Sequence, residues 1–389
     1  MQITKTLKFK LYRNKKNVLL NQRIDVAGIV WNHCIALYKT YYRLTGKHLN
    51  RYALMKHLAK LKKQPKFSYW QTLDAQAIQN IVERIDRAYT LFFNNLKRGV
   101  KTAPPKFKKV KKYKSFTLKQ ANWKLLGGNK IRLHGVVYKF CQSREITGQI
   151  KTVTVKRDNL GALWLYFVVK QEIEVPDRSG NSAVGFDFGL HTFLTASDGT
   201  TYESPLFLKQ SLAELRKANR ALSRKKQGSK NWYKAKKNLA QVYAKVVNKR
   251  RDWFFKLAHD LTDRYDFLFF EDLNMKGMQK LWGRKVSDLA RSEFMEILEW
   301  VAMQKGKFVG YVDRFFRSSQ TCHVCGAITK LTLADRVWTC DCGTVHDRDF
   351  NASVNICTEG IRCSGVEDVR PVAILGRQPC LMPLESHVL

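Results

Sequence analysis

Two short apolar runs, one near the middle of the chain and one further along, each end in an acidic residue. V-G-F-D-F-G places Asp187 after one such run, and F-L-F-F-E-D places Glu271 after another. Runs of this length and composition are typical of buried strands. A third acid, Asp349 in H-D-R-D-F-N-A-S, opens a predicted helix just beyond a group of cysteines. The chain is therefore expected to fold so that acids from distant segments converge.

Converging carboxylates are suited to divalent cations. Mg²⁺ or Mn²⁺ takes oxygen ligands, and three close carboxylates without metal would repel and raise one another's pKa. Two cations held in this way promote phosphodiester cleavage. The sequence therefore predicts a two-metal site at Asp187, Glu271 and Asp349. Gly185 and Gly189 are expected to let a phosphate backbone approach the first strand closely.

Neighbouring acids leave an alternative for two of the three positions. Asp272 follows Glu271, and Asp347 precedes Asp349 by two residues. Glu271 is favoured by the phase of its strand and Asp349 by its position on the helix. Asn351 is expected to orient the ligands.

The charge balance indicates the partner. The 389 residues include 70 Lys and Arg against 32 Asp and Glu, a formal net charge of +38. An excess of this size repels itself unless a polyanion relieves it. Membrane surfaces are also anionic, but no apolar run approaches the roughly 20 residues of a spanning helix, and the N-terminus lacks a signal-peptide hydrophobic region. We therefore expect a cytoplasmic, nucleoid-associated protein that binds nucleic acid and no membrane.

Four of the nine cysteines indicate a metal site. They form a C-x2-C pair and, fourteen residues later, a C-x-C pair. An odd cysteine count without an export signal argues against a disulfide framework. Tetrahedral thiolate coordination explains both pairs, and four protein ligands make the zinc structural. The predicted ligands are Cys322, Cys325, Cys340 and Cys342. Because the second pair is one residue short of the usual spacing, His323 and His346 are alternative ligands.

Periodicity separates a helical module from a barrel in the first half. Residues 1–12 alternate as a half-buried strand, and a helical period runs from about Asn17 to Leu96. Strand-like runs then recur at 115–119, 130–141, 150–157 and 162–174. The strands are expected to form a small antiparallel barrel, into which the helices are inserted.

The segment between the helices and the later strands is strongly basic. Residues 97–114 contain nine Lys or Arg and no acid. A flexible linker is one interpretation. The favoured one is a segment that follows phosphates, with Phe107 and Tyr113 stacking on bases. Its predicted nucleic-acid contacts are Lys106, Lys108 and Lys109.

The second half reads as an apolar strand, a return strand, a basic helical pair over about 206–262, a strand, a helix over 292–305 and a further strand. This order suits an RNase H-like mixed sheet. Lys225 and Lys226, near the turn of the helical pair, are predicted to contact phosphates, and the glycine-containing stretch 274–290 is expected to be a lid.

At these residues the chain resembles TnpB, a family of transposon-encoded RNA-guided DNA endonucleases related to the compact type V CRISPR effectors. The matching elements are the strands of Asp187 and Glu271, S-S-Q-T-C-H-V-C-G and H-D-R-D-F-N-A-S-V-N, together with T-L-K-F-K-L-Y-R-N-K and P-P-K-F-K-K near the other end. The resemblance spans nearly the whole chain in family order. Arg13 departs from it, since a proline is usual there, and so does the short C-x-C pair.

The resemblance implies a multidomain α/β protein with a β-barrel. Its expected parts are a wedge barrel of oligonucleotide-binding type (1–12 and 108–180), a helical recognition domain (13–107), a RuvC-like nuclease domain (181–318 and 346–362), a zinc-ribbon insert (319–345) and a disordered tail (363–389).

The resemblance also implies activity, cofactors and partners. Asp187, Glu271 and Asp349 would be the nuclease acids with two Mg²⁺ or Mn²⁺ ions, and the four cysteines would bind Zn²⁺. A guide RNA from the transposon end would direct one protein copy to double-stranded DNA beside a transposon-adjacent motif. Gln79 falls where the family reads this motif, although an ordinary exposed Gln is the alternative, and its neighbour Asn80 would also contact nucleic acid. The rival interpretations are a nuclease-dead RNA-guided DNA-binding regulator, an RNase H-like transposase and a guide-independent junction resolvase.

Overall fold

The computed structural model describes residues 2–174, 176, 180–189, 192–273, 290–332, 334–365 and 369–372. The chain forms two compact units, Met1–Ile173 and Glu174–Leu389. The predicted lid, except Ala290, and the tail positions 366–368 and 373–389 lie outside the described residues. Among the helices of the described residues, none is long and apolar enough to cross a membrane.

The first unit contains the predicted helical module. Its helices are α1 (Asn17–Thr45), α2 (Arg51–Leu61), a 3₁₀ helix (Pro65–Thr72) and α3 (Ala75–Lys97). The Asn50 side chain caps α2 by accepting a hydrogen bond from Tyr52 N, and Asp74 caps α3 by accepting one from Gln76 N. These caps satisfy amide groups that have no partner within the helix, so they fix where each helix begins.

The first unit also contains one antiparallel sheet. Its strands are β1 (Gln2–Leu11), β2 (Ser115–Leu118), β3 (Trp123–Leu125), β4 (Lys130–Leu133), β5 (Val136–Cys141), β6 (Gln149–Arg157) and β7 (Leu163–Glu172), in the order β2-β6-β7-β1-β5-β4-β3. The edge strands β2 and β3 are joined by only residues 119–122, a span of at most about 18 Å. The sheet therefore curls into a nearly closed barrel, as the sequence predicts.

The helices and the barrel share a hydrophobic core. It joins Leu20 and Ile24 of α1 and Ile81 of α3 to Phe116 and Phe140 of the barrel. Each of these side chains is at most 1% exposed. The predicted wedge and recognition domains therefore lie within one compact unit of the structure.

The basic segment is held against α1 rather than free. Trp31 Nε1 donates to the Lys106 carbonyl oxygen at 3.2 Å. Asn32 exchanges two 2.8 Å hydrogen bonds with the backbone of Lys108. The interpretation of a flexible linker is therefore wrong at these residues.

Tyr113 also differs from its prediction. It is 3% exposed and belongs to the core of the first unit. A Cβ added at Gly28 of α1 would lie 2.8 Å from Tyr113 Cβ, so the two segments are in close contact. Tyr113 cannot stack on bases in this position, whereas Phe107 is 53% exposed.

The second unit is built on a mixed sheet. Its main strands are β8 (Ser182–Asp187), β9 (Thr192–Ala196), β10 (Thr201–Glu203), β11 (Phe267–Glu271) and β12 (Phe308–Val312), in the order β10-β9-β8-β11-β12. β8, β11 and β12 are parallel, whereas β9 and β10 are antiparallel to their neighbours. The predicted mixed sheet is present, with β10 as an unpredicted strand.

Three helices cover the two faces of this sheet: α6 (Lys230–Arg264), α7 (Arg291–Gln304) and α8 (Arg348–Ser364). The shorter helices α4 (Phe207–Gln210) and α5 (Leu212–Ser223) pack on α6 instead. Phe254 of α6 and Phe294 of α7 pack with Phe186 and Phe270, whereas Ile356 of α8 packs with Phe269 in a separate cluster. Because successive strand residues face opposite sides, Phe269 and Phe270 contribute to the two different layers.

Two smaller elements complete the second unit. β13 (Val337–Thr339) and β14 (Val345–Asp347) form an antiparallel hairpin between β12 and α8. β15 (Arg370–Pro371) pairs in parallel with the start of β8. Since α8 also continues to Ser364, the prediction of a disordered tail is wrong at 363–364 and 370–371.

Candidate functional site

The sheet and α8 bring the three predicted acids to one edge. β8 and β11 are parallel neighbours with Phe186 opposite Phe270, so Asp187 and Glu271 follow side by side at the carboxyl ends of the strands. Asp349 lies in the first turn of α8, which packs on β8. All three side chains are partly buried.

The electrostatics of this edge favour a bound cation. Burial, followed by the negative charges of Glu271 and Asp349, raises the pKa of Asp187 to about 8. The positive charges of Arg348 and Arg291 act in the opposite direction. Oxygen donors that destabilise one another's charged form when metal-free are the donor set that a hard divalent ion would relieve. The residues present therefore fit Mg²⁺ or Mn²⁺.

The rival acids have other partners. The Asp347 carboxylate accepts a 2.9 Å hydrogen bond from Phe350 N and so caps α8. Asp272 is exposed and pairs with Arg314. Asp349 also has a partner, since Arg336 Nη1 lies 3.4 Å from its Oδ1. The choice of Glu271 and Asp349 over these rivals therefore stays a prediction.

Two buried polar residues beside Glu271 were not predicted. Ser318 is 5% exposed and its Oγ donates to the Glu271 carboxylate. Arg291, also 5% exposed, donates to the Glu271 carbonyl oxygen, and its guanidinium lies 4.2 Å from the Phe188 ring centroid. Ser318 belongs to the S-S-Q-T-C motif and could have been assigned from it. Arg291 carries no signal in the sequence beyond its place directly before the helix predicted over 292–305.

The glycines beside Asp187 serve internal packing. A Cβ added at Gly185 would lie 2.2 Å from the Ser353 carbonyl oxygen and 2.4 Å from Cys357 N, both in α8. One added at Gly189 would lie 2.6 Å from the Thr192 carbonyl oxygen. The expectation that these glycines make room for a phosphate backbone is therefore wrong, because protein backbone already occupies that space.

The four predicted zinc ligands lie together beside the hairpin. Their sulfur atoms all lie within 4.8 Å of one another. Cys322 Sγ is 3.8 Å from Cys342 Sγ, and Cys325 Sγ is 3.5 Å from Cys340 Sγ. Four thiolates at the usual zinc–sulfur length of about 2.3 Å would be separated by about 3.8 Å in a tetrahedron. The cluster therefore fits zinc despite the short C-x-C pair. Within the described residues, the three carboxylates are not gathered this closely.

The two alternative histidine ligands differ in their surroundings. His346 is 2% exposed, and its Nε2 is 3.1 Å from Cys322 Sγ. His323 Nδ1 is instead 2.9 Å from Asn351 Oδ1. Only His346 therefore approaches the sulfur atoms closely in the described contacts.

Asn351 joins the cysteine loop to α8. Its Oδ1 accepts from His323 N at 3.1 Å, and its Nδ2 donates to the Thr321 carbonyl oxygen at 2.7 Å. Asn355, one turn later, donates to the Thr321 and Ser318 carbonyl oxygens at 2.6 and 2.8 Å. Asn351 was expected to orient the acidic ligands, but it binds the loop that carries Ser318.

Most of the predicted nucleic-acid contacts are exposed, on one or the other unit. Gln79 is exposed on α3 and lines a cleft of about 430 Å³ with Lys62, Lys63 and Gln71. Asn80 beside it is partly buried. Lys106, Lys109, Lys225 and Lys226 are exposed.

Lys108 is engaged differently from its neighbours. Its Nζ lies 3.7 Å from the Trp31 ring centroid. Burial, followed by the charge of Arg84, lowers the pKa of Lys108. This lysine therefore contributes to the packing of the basic segment on α1.

Two family models match most of the second unit and the last strand of the first unit. The OrfB_IS605 model, described as "Probable transposase", matches residues 166–281, and the Cas12f1-like TNB domain model matches residues 292–356. The first match contains Asp187 and Glu271, and the second contains the four cysteines and Asp349.

Named relatives match in sequence. A "Putative RNA-guided DNA endonuclease" of Streptomyces pristinaespiralis is 37% identical over 224 residues, 57% of this chain and 56% of that protein. InsQ of Escherichia coli K12, with the same description, is 26% identical over 264 residues, 68% of this chain and 64% of that protein. The chain thus spans less than two thirds of the length of these relatives.

A solved structure matches in fold. The protein of a Cas12f1–sgRNA–target DNA complex superposes with a TM-score of 0.55 at 15% identity, covering 92% of this chain and 99% of that chain. At this identity the likeness concerns the fold alone. The two family models and the named relatives agree with the resemblance to the TnpB family seen in the sequence.

Proposed function

We propose that this chain is an RNA-guided endonuclease that cleaves double-stranded DNA beside a short transposon-adjacent motif. The observation that carries the proposal is the convergence of Asp187, Glu271 and Asp349 on one edge. There burial, followed by the charges of the other two acids, raises the pKa of Asp187 to about 8. Such an arrangement costs stability unless a cation relieves it, which is characteristic of a functional site. The net charge of +38 and the name of the Streptomyces relative support a nucleic-acid substrate.

The cleavage chemistry divides between bound metal and the chain's own residues. Two divalent cations bound at the three carboxylates would supply activation of water and stabilisation of the leaving 3′ oxygen. Ser318 fixes the orientation of the Glu271 carboxylate. Arg291 holds the backbone at the end of β11 through its hydrogen bond to the Glu271 carbonyl oxygen. A single site of this kind would cut the two DNA strands in turn.

The cysteine cluster would hold a structural zinc ion. Cys322, Cys325, Cys340 and Cys342 leave no open ligand position, so zinc would stabilise the loop without entering the reaction. Because Asn351 ties this loop to α8, the cluster would also support the helix that presents Asp349.

Target choice would come from the guide RNA. Base pairing would read the DNA sequence, while the protein would contact backbones and read only the adjacent motif. Lys106, Lys109, Lys225 and Lys226 would contact phosphates. Gln79 and Asn80 would read the adjacent motif, and one protein copy would bind each RNA.

Co-purifying RNA tests the guided part of the proposal. The protein would be expressed with its native flanking DNA, and RNA protected from nuclease would be sequenced. A single species with a constant scaffold and a variable 3′ end is expected. Heterogeneous RNA or none would refute guidance and favour a guide-independent junction resolvase or a transposase. Products that join transposon ends to a target would identify the transposase.

Matched substitutions test the active centre. With the guide in hand, Asp349→Asn and Glu271→Gln should abolish cleavage of a matched plasmid and retain binding. Asp347→Asn should keep activity because Asn caps a helix as well as Asp. Asp272→Asn should also keep it, since an exposed ion pair contributes about 1 kcal/mol or less. Binding without cleavage by the wild-type protein would instead establish a nuclease-dead regulator.

A further inference from the structure

The most exposed large hydrophobic side chain of the described residues lies beside the candidate active centre. Phe315 is 84% exposed. Its neighbour Phe316 packs against the cluster that contains Phe267 and Phe269. In the turn after β12, Phe316 therefore packs against the core, whereas the adjacent Phe315 is exposed to solvent. A single exposed hydrophobic residue is ordinary on a protein surface, so the significance of Phe315 depends on the groups around it.

The turn that presents Phe315 is held at several points. The Asp313 carboxylate accepts a 2.8 Å hydrogen bond from Phe315 N, and the Asp313 carbonyl oxygen accepts one of 3.1 Å from Phe316 N. On one side of Phe315, Arg314 pairs with Asp272 at the end of β11. The backbone position of Phe315 is thus fixed relative to the sheet edge.

The same segment reaches the candidate catalytic acid. Ser318, three residues after Phe315, donates to the Glu271 carboxylate. Three residues span at most about 11 Å, so the exposed ring is anchored within that backbone distance of Ser318. Arg314 and Arg317 are both exposed on the same turn. Because Arg314 is paired with Asp272, Arg317 is the cation on this turn that is assigned to a ligand. An aromatic face beside a cationic side chain matches a nucleotide, which has a flat base and an anionic phosphate.

We propose that Phe315 is a stacking platform for one base of the DNA strand that enters the active centre, with Arg317 contacting a phosphate of that strand. The inference rests on the proposed nuclease function and deepens it. It assigns to this turn the task of holding single-stranded substrate in register with Asp187, Glu271 and Asp349. Because every base has a flat face, the contact is independent of sequence, as a guided nuclease requires.

A comparison of two probes tests the platform without depending on cleavage. One probe is a labelled oligothymidylate, and the other is an abasic phosphodiester chain of the same length. Binding is measured with the full-length protein, carrying its RNA, in an Asp349→Asn background. Phe315→Ala should weaken oligothymidylate binding about 5- to 150-fold, the range found for loss of one base–aromatic stack, and should leave the abasic probe unchanged.

Two further variants separate stacking from apolar contact. Phe315→Trp should retain binding, because it keeps a flat face. Phe315→Leu, which keeps apolar surface without one, should behave as Phe315→Ala. Val345→Ala is the matched control, since Val345 is 63% exposed on β14 of the same unit. It should leave both probes unchanged.

Several results would overturn the platform. They are equal weakening of both probes by Phe315→Ala, no weakening of either, or full binding by Phe315→Leu. The last would indicate an apolar surface for a protein partner instead. Cleavage of a guide-matched plasmid by the wild-type protein is scored separately. A protein that cuts but shows no base-dependent role for Phe315 refutes the platform alone, whereas one that shows that role but never cuts refutes the endonuclease alone.

Discussion

Gly185→Ala should damage the active centre through the contact between β8 and α8. The added Cβ would lie 2.2 Å from the Ser353 carbonyl oxygen. Ordinary van der Waals contacts begin near 3.4 Å. The backbone of α8 must therefore move away from β8 by about 1 Å, the difference between these two distances. The neighbouring atoms are backbone, which cannot rotate away. We therefore expect a loss near the upper end of the 1–3 kcal/mol typical of overpacking, about 3 kcal/mol.

The retreat of α8 should affect activity as well as stability. Asp187 lies on β8 two residues after Gly185, whereas Asp349 lies on α8. A misplacement of about 1 Å between reacting groups can cost roughly 100-fold in rate. Gly185→Ala should therefore lower the cleavage rate by about that factor. The melting temperature of the second unit should fall by about 6–12 °C, since 1 kcal/mol corresponds to about 2–4 °C in a domain of this size.

Val184→Ala separates the two effects. Val184 is fully buried on the opposite face of β8, among the residues that pack with α6 and α7. Its truncation should cost about 2 kcal/mol by leaving a cavity, with much less effect on cleavage at a temperature where both variants are folded. If Gly185→Ala melted within 1 °C of the wild-type protein and cut at its rate, the inferred close packing would be wrong.

Three further changes have distinct expected results. Ser318→Ala should lower activity about 10- to 100-fold, as loss of a group that orients a metal ligand does, and should raise the Mg²⁺ concentration for half-maximal cleavage. Burial lowers the pKa of His134 to about 4, so the folded state resists protonation. The free energy of unfolding should therefore fall by up to about 3 kcal/mol as pH drops from 6.5 to 4. Asn tolerates the φ of 47° at this position, so His134→Asn should remove this pH-dependent loss of stability. Cys340→Ser should eliminate bound zinc by elemental analysis and lower the melting temperature, whereas Cys363→Ser should do neither.

Opposite outcomes would contradict each argument. An unchanged Mg²⁺ dependence in Ser318→Ala would show that its hydrogen bond does not orient Glu271. If the free energy of unfolding of His134→Asn fell by the same amount between pH 6.5 and 4, the loss would belong to other titratable groups. Zinc retained at full stoichiometry in Cys340→Ser would point to His346 as a replacement ligand.

The sequence predicts most of the elements because their patterns are local. The alternation in residues 1–12, the apolar runs before Asp187 and Glu271, and the cysteine spacing each depend on neighbours only a few positions apart. The mixed sheet follows from the order of these elements. The convergence of the acids follows from parallel strands, whose carboxyl ends share an edge.

The errors arise where packing decides. Tyr113 lies in a run of lysines that looks solvated, but it fills the core against Gly28 on a helix more than eighty residues earlier in the chain. Gly185 looks like a place for substrate to approach, but α8, which comes much later in the chain, occupies that place. No local sequence pattern encodes such contacts, because each depends on how two distant segments pack together in the folded protein.

The position of β1 in the barrel bears on how the first unit folds during synthesis. β1 is made before the other strands of the barrel, yet it lies inside the sheet, with Gln2 opposite Glu172 of β7. At a synthesis rate of about 5–20 residues per second, β1 waits on the order of 10–30 s for this partner. During that time the helices have no completed barrel to pack against, and their apolar faces are open to misassociation. Slower translation should therefore lower the yield of native protein, and an early binder of the helical module should act as its chaperone.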